Sequence, residues 1–398
     1  MYRRCSSYFN NPTFGMIFIL VVVSTEVFSP VIAGPEGPLR LVILLFRHGS
    51  RAPAVTYPND PHQNYPWVGG LGALQPEGIH QGYQLGQNFA KRYQALLPPD
   101  GYYTAQRIHA VSSSVERSVM TAQAVLAGLL KPQNLTLDIP WQPASILTIP
   151  IYQDSILVQQ QPCPKYSREF KRFLDNPTPE FRQTMLELKS EMEYVTKHSG
   201  AAITELWQLA QLYDALLIQR RFGLKLPAWT NKFLPERALR CVGVFLRSFT
   251  ATPIMKRLRG GATFTEFIKI MKSKQAKTLS PDRSVFIYSG HDSTQVSLLD
   301  SMGMLDQTTD LPEYASTVAF ELLENTGLPR ELEIRMVYYR NSTVENPEIL
   351  TIPGCSAPCP LNQFEKLFKG ISFEYIECSS TALTSSLLII LLSLVLTM

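Results

Sequence analysis

The stretch Leu39-Arg40-Leu41-Val42-Ile43-Leu44-Leu45-Phe46-Arg47-His48-Gly49-Ser50-Arg51-Ala52-Pro53 decides the fold. Every side chain from Leu41 to Phe46 is apolar, whereas a strand with one wet face would alternate. Such a run reads as a strand covered on both sides. The charged, glycine-containing segment Arg47–Pro53 then falls at its C-terminal end.

Two more stretches repeat the plan. Arg107 to Val111 enters Ser112-Ser113-Ser114 and a helix from about Val115 to Leu130, closed by Lys131-Pro132. Its serines are good helix caps and the proline is a stop. Val285 to Ser289 enters Gly290-His291-Asp292-Ser293-Thr294 and a helix toward Met302-Gly303. Leu74 to Leu97 has helical period, with Gly78 and Gly86 inside it. Strands alternating with helices predict an α/β fold, a largely parallel central sheet flanked by helices.

Residues 141–249 differ. Apolar side chains recur at helical spacing (Met185, Leu188, Met192; Leu209, Leu212, Leu216), and Pro162, Pro164, Pro177 and Pro179 divide the segment. It reads as an inserted, mostly helical cap. The catalytic core is then discontinuous, 34–140 and 250–378. Thr317–Leu323 and Leu332–Tyr339 are two late strand-like runs before a Pro- and Cys-rich end.

Composition sets limits. The chain has 398 residues, 45% apolar and 18% charged, and a net charge of +4. That mixture excludes a disordered chain, a coiled coil and collagen. So small a charge, with no run of five Lys or Arg, argues against nucleic acid as a partner. The apolar run Met16–Val23, followed by Val31-Ile32-Ala33, reads as a signal peptide over 1–33 cut near Ala33/Gly34. The final segment 379–398 has an apolar run from Leu387 and small residues at Ser379–Ala382. It reads as a lipid-anchor (GPI) signal or a weak tail helix, either of which ties the C-terminus to a membrane. The sequons at Asn134 and Asn341 suit glycosylation in an exporting compartment, at the cell surface or in a lysosomal lumen. Five cysteines remain in the mature chain, allowing at most two bridges whose pairing spacing does not fix.

The position of charge carries the functional argument. Arg47, His48, Arg51, Arg117, His291 and Asp292 all lie at or just past the C-terminal end of a strand-like run. In an open α/β sheet those ends converge on the ligand crevice. Three guanidiniums, two imidazoles and one carboxylate suit an anion, and planar Arg forks suit phosphate oxygens. His48 could then attack phosphorus, Arg47, Arg51, Arg117 and His291 could hold the phosphoryl oxygens, and Asp292 could move the proton.

Arg47-His48-Gly49-Ser50-Arg51-Ala52-Pro53 resembles the R-H-G-x-R-x-P signature of the histidine acid phosphatases, and His291-Asp292 resembles their distal H-D pair. Arg117 resembles their third phosphate-binding arginine. The similarity runs from about Leu39 to Cys378 and is nearest the prostatic and lysosomal types. It implies a phosphoglycerate-mutase-like core, a phosphohistidine intermediate, no cofactor or metal, and a homodimer. The expected substrate is a small-molecule or phosphopeptide phosphomonoester. It further implies disulfides Cys163–Cys378 and Cys355–Cys359, leaving Cys241 free. Position 50 is Ser where prostatic relatives carry an acid.

Other readings stand beside this one. The same scaffold could serve as a phytase or inositol-phosphate phosphatase, or as an inactive secreted binding protein. His62, His80, His109 and His198 read as satisfied or surface side chains, with His109 a possible support of the pocket. The histidines lack metal-ligand spacing. Cys241 to Arg247 has the C-x5-R outline of a cysteine phosphatase but a helix-core interior without glycines. Trp207 and Tyr213 are cap aromatics that belong either to the cleft or to the core.

Overall fold

Buried on both faces, the first strand orders everything around it. The computed structural model describes residues 37–132, 141–309, 311–327, 331–374 and 377–378. The expected leader, the tail segment and the Asn134 sequon lie outside them. The strands are β1 (Leu39–Arg47), β2 (Ile108–Ser113), β3 (Leu147–Ile149), β4 (Val285–Gly290), β5 (Thr317–Glu324), β6 (Leu332–Tyr339), β7 (Glu348–Leu350) and β8 (Cys359–Pro360). The helices are α1 (Pro76–Arg92), α2 (Glu116–Leu129), α3 (Pro164–Asp175), α4 (Pro179–Ser199), α5 (Leu206–Arg221) and α6 (Glu236–Ser248), then α7 (Pro253–Leu258), α8 (Gly260–Gln275), α9 (Asp292–Ser301) and α10 (Leu361–Leu367).

The sheet order is β3-β2-β4-β1-β5-β6-β7, with β8 also on β6. Only the half that carries the motifs is parallel: β3, β2, β4 and β1. From β5 onward the pairs are antiparallel, so the sheet is mixed. The reason is connection length. A short link joins β5 to β6, which allows a hairpin but no crossover helix. The two faces of β1 serve two layers. Val42, Leu44 and Phe46 pack with Leu85, Phe89 and Val125 of α1 and α2, while Leu41, Ile43 and Leu45 join the core that includes α4, α5, α6, α8 and α9.

Helices α3 to α6 fill most of 141–249, as their periodicity requires. The segment also holds β3, which pairs with β2 and so belongs to the sheet. A three-residue edge strand carries too little pattern to be read from sequence. Disulfides join Cys163 to Cys378 and Cys355 to Cys359, and Cys241 is free and buried. Among the described residues no helix is long and apolar enough to cross a membrane.

Glycine allows one close approach that sets the site. A Cβ on Gly78 of α1 would stand 2.3 Å from the Ser50 carbonyl oxygen, and one on Gly49 would stand 2.3 Å from that of Gly78. The signature loop therefore lies directly on the helix backbone. Gly78→Ala is expected to cost about 2–3 kcal/mol, because backbone rather than a flexible side chain has to yield. Urea unfolding measures the cost, and unchanged stability would mean the contact is looser than described.

Candidate active site

Register brings the three strand ends to one level. Arg47 pairs with Gly290, Phe46 with Ser289, and Ser112 with Ser289 across adjacent parallel strands. The chain after β1 thus delivers His48, the chain after β4 delivers His291 and Asp292, and the first turn of α2 delivers Arg117. Local bonds fix each piece. Gly49 N–H donates to Thr121 Oγ1 (3.1 Å), which itself donates to the Arg117 carbonyl (2.7 Å). Ser50 N–H donates to Gln81 Oε1 of α1 (2.8 Å). Gln295 Nε2 donates to the carbonyls of Leu45 (3.1 Å) and Ser316 (2.8 Å), seating α9 against β1.

His48 is 2% exposed. Its Nδ1 lies 2.9 Å from the Gly49 carbonyl, an acceptor only, so the proton is on Nδ1 and the lone pair on Nε2. That lone pair accepts from Arg117 Nε at 3.0 Å. Burial, then the charges of Arg117 and Arg47, hold the imidazole well below its ordinary pKa, so the ring is neutral. The His291 ring stands edge-on, 5.5 Å away between centroids. Its Nε2 is 3.0 Å from Ser113 Oγ, and it caps α9 by accepting the Thr294 N–H. Burial and Arg117 lower its pKa as well.

Asp292 opens α9 and pairs with Arg47 at 2.9 Å. Burial opposes its charge, but Arg47 and Arg51 outweigh burial and hold the carboxyl below its usual range. Burial and the neighbouring Arg51 push Arg117 down to about 10. The Nε of Arg47 and the Nε of Arg51 are buried without hydrogen-bond partners. Such donors are costly unless a ligand satisfies them, and both lie close to His48 in sequence. All six expected side chains therefore gather around one space that offers N–H donors, an imidazole lone pair bridged to Arg117 and one carboxylate. The arrangement can bind a tetrahedral oxyanion and attack it.

Three neighbours escaped the sequence reading. Asp214 of α5 accepts from Arg51 Nη2 on both oxygens (3.2 and 3.0 Å), and this pairing outweighs the burial that opposes the Arg51 charge. It is the lone charged side chain between Leu206 and Ile218, a signal that it needed a partner. Tyr314, in the loop before β5, lies 4.1 Å from the Arg47 guanidinium. Ser113 was read only as a helix cap. Other expectations resolve plainly. His109 sits at the far end of β2 against Phe286, away from the strand ends that carry the site. His62 bonds the Lys225 carbonyl, and His198 stacks on Trp229. Tyr213 is core, while Trp207 is half-exposed. Cys241 lies inside α6, where burial pushes its thiol up to about 12, so the C-x5-R outline is not a nucleophile loop. Among the described residues no group of three or more His, Cys, Asp or Glu could hold a metal ion.

A neutral imidazole among arginines at the ends of parallel strands suits a phosphoryl group. The chain belongs to the histidine phosphatase superfamily (branch 2), whose family model matches residues 38–339. It is 32% identical over 343 residues to the lysosomal acid phosphatase of Bos taurus, covering 84% of this chain and 78% of that protein. To the prostatic acid phosphatase of Bos taurus it is 32% identical over 337 residues, 83% and 84% of the two chains. Among solved structures, the phytase from Citrobacter braakii superposes with a TM-score of 0.63 at 17% identity. That match covers 86% of this chain and 100% of the other.

Proposed function

We propose that this protein is an acid phosphatase that hydrolyses phosphate monoesters through a phosphohistidine on His48. The observation that carries the reading is the His48 ring itself: neutral, with Nδ1–H tied to Gly49 and Nε2 aimed at Arg117. In the first step Nε2 attacks phosphorus, the bond to the ester oxygen breaks, and Asp292 gives that oxygen a proton. In the second, water attacks phosphorus, Asp292 takes its proton, and the N–P bond breaks to return neutral His48 and phosphate. Arg47, Arg51, Arg117 and His291 hold the non-reacting oxygens throughout.

An acid optimum follows from Asp292. Its arginine neighbours keep it ionised in the free enzyme, and a bound phosphate dianion offsets part of their field. Lower pH then supplies the proton that the leaving group needs. We place the enzyme in the secretory or lysosomal lumen or at the cell surface, held by its C-terminal tail or a lipid. We further propose a homodimer, glycosylated at Asn134 and Asn341. Release from membranes by a phosphoinositide-specific phospholipase distinguishes lipid from tail.

The test is hydrolysis of 4-nitrophenyl phosphate across pH 4–8, with and without EDTA. Activity is expected to peak on the acid side and to ignore the chelator. Phytate is expected to be a poor substrate, since Asp214 and Glu313 line the groove beside Arg47 and dilute its positive charge. No turnover at any pH would leave a binding protein in place of an enzyme.

A further inference from the structure

A groove leads away from Arg47, walled by Leu217, Leu311, Pro312 and Tyr314 and ending at Arg221. Arg221 closes α5, and the neighbouring Gln219 fixes that end of the helix by donating to Asp60 at 2.8 Å. The Tyr314 ring lies 4.1 Å from the Arg47 guanidinium and 5.4 Å from that of Arg221. The two guanidiniums therefore lie over the same phenol ring. An ester whose phosphate sits at Arg47 would bring a short leaving group along the apolar wall to Arg221.

The charge pairing singles Arg221 out. Arg47 is held by Asp292 and by the Pro312 carbonyl, and Arg51 by Asp214. Among the acids, Glu313 is held by the Asn341 amide at 2.9 Å. Arg221 is bound to Glu77 at 2.8 Å, and both side chains are more than a third exposed. A pair that wet is weak, so a ligand anion can replace Glu77 at small cost. Desolvating either inner pair would cost far more.

We propose that Arg221 is a specificity residue, selecting phosphomonoesters whose leaving group carries a second anion. The proposal rests on the phosphatase reading and adds the class of leaving group.

The test compares phenyl phosphate with 3- and 4-carboxyphenyl phosphate, which differ by one carboxylate. Arg221→Gln is expected to raise KM about tenfold for at least one carboxylated ester while leaving phenyl phosphate within about twofold. Glu77→Gln, which frees Arg221, is expected to lower KM for that ester. Equal response of all three substrates, or none, overturns the assignment. The matching phosphonates, titrated by calorimetry, read the same preference without turnover. A protein that binds the carboxylated phosphonate through Arg221 but hydrolyses nothing would defeat the phosphatase reading alone.

Discussion

His48→Ala is expected to abolish phosphate-ester hydrolysis, a loss of at least about a thousandfold in kcat. The reasoning is local. His48 Nε2 presents its lone pair at the centre of the arginine cluster, where it accepts from Arg117 Nε. No other nucleophile is on hand. His291 is engaged at both ends, by Ser113 and by the Thr294 amide. Ser50 Oγ lies in the same loop, but a hydroxyl needs a base, and the carboxylates of Asp292, Asp214 and Glu77 are each paired with an arginine. The variant should still fold, because a buried imidazole surrounded by cations is itself a destabilising feature. It should also still bind inorganic phosphate, since the three guanidiniums remain. Rapid quench with labelled substrate gives the readout: the acid-labile, alkali-stable phosphoprotein of the native enzyme disappears. A variant that still turned over substrate would falsify the nucleophile assignment.

Asp292→Asn separates proton transfer from binding. The amide keeps the shape and can still meet Arg47, but it has no proton to give. Alkyl phosphates, whose alkoxides leave poorly, should lose about a hundredfold or more in kcat. 4-Nitrophenyl phosphate, whose phenolate departs unaided, should lose less than about tenfold in the phosphorylation step. The pH profile carries a second signature. In the native enzyme the rate on alkyl esters should fall as pH rises and Asp292 ionises; in the variant that limb should vanish. If both substrate types suffered alike, Asp292 would be an electrostatic prop for Arg47 and not the proton carrier.

The elements that sequence made legible share one property: their signal is local. A strand covered on both faces has to be apolar throughout, so β1 and its exit at Arg47 are written in consecutive residues. The same holds for Gly290-His291-Asp292, where a strand ends and a helix begins. Gly78 was legible only as a glycine inside a helix, and the fold shows that its neighbour is Ser50. Helices α3 to α6 were legible by period. Strand β3 and the antiparallel half of the sheet were not, because three edge residues carry no period and pairing direction depends on connections rather than composition.

Sequence alone settled the inventory: six charged or imidazole side chains placed at strand exits, and hence the kind of ligand they suit. Tertiary structure decided which charges compensate which. Asp214 reaches Arg51 across 163 positions of sequence, and Arg221 crosses 144 to Glu77. Tyr314 arrives beside Arg47 only because β5 pairs with β1. Those choices are long-range by nature. A buried charge takes whatever partner packing brings within a few ångströms, and distance along the chain says nothing about that.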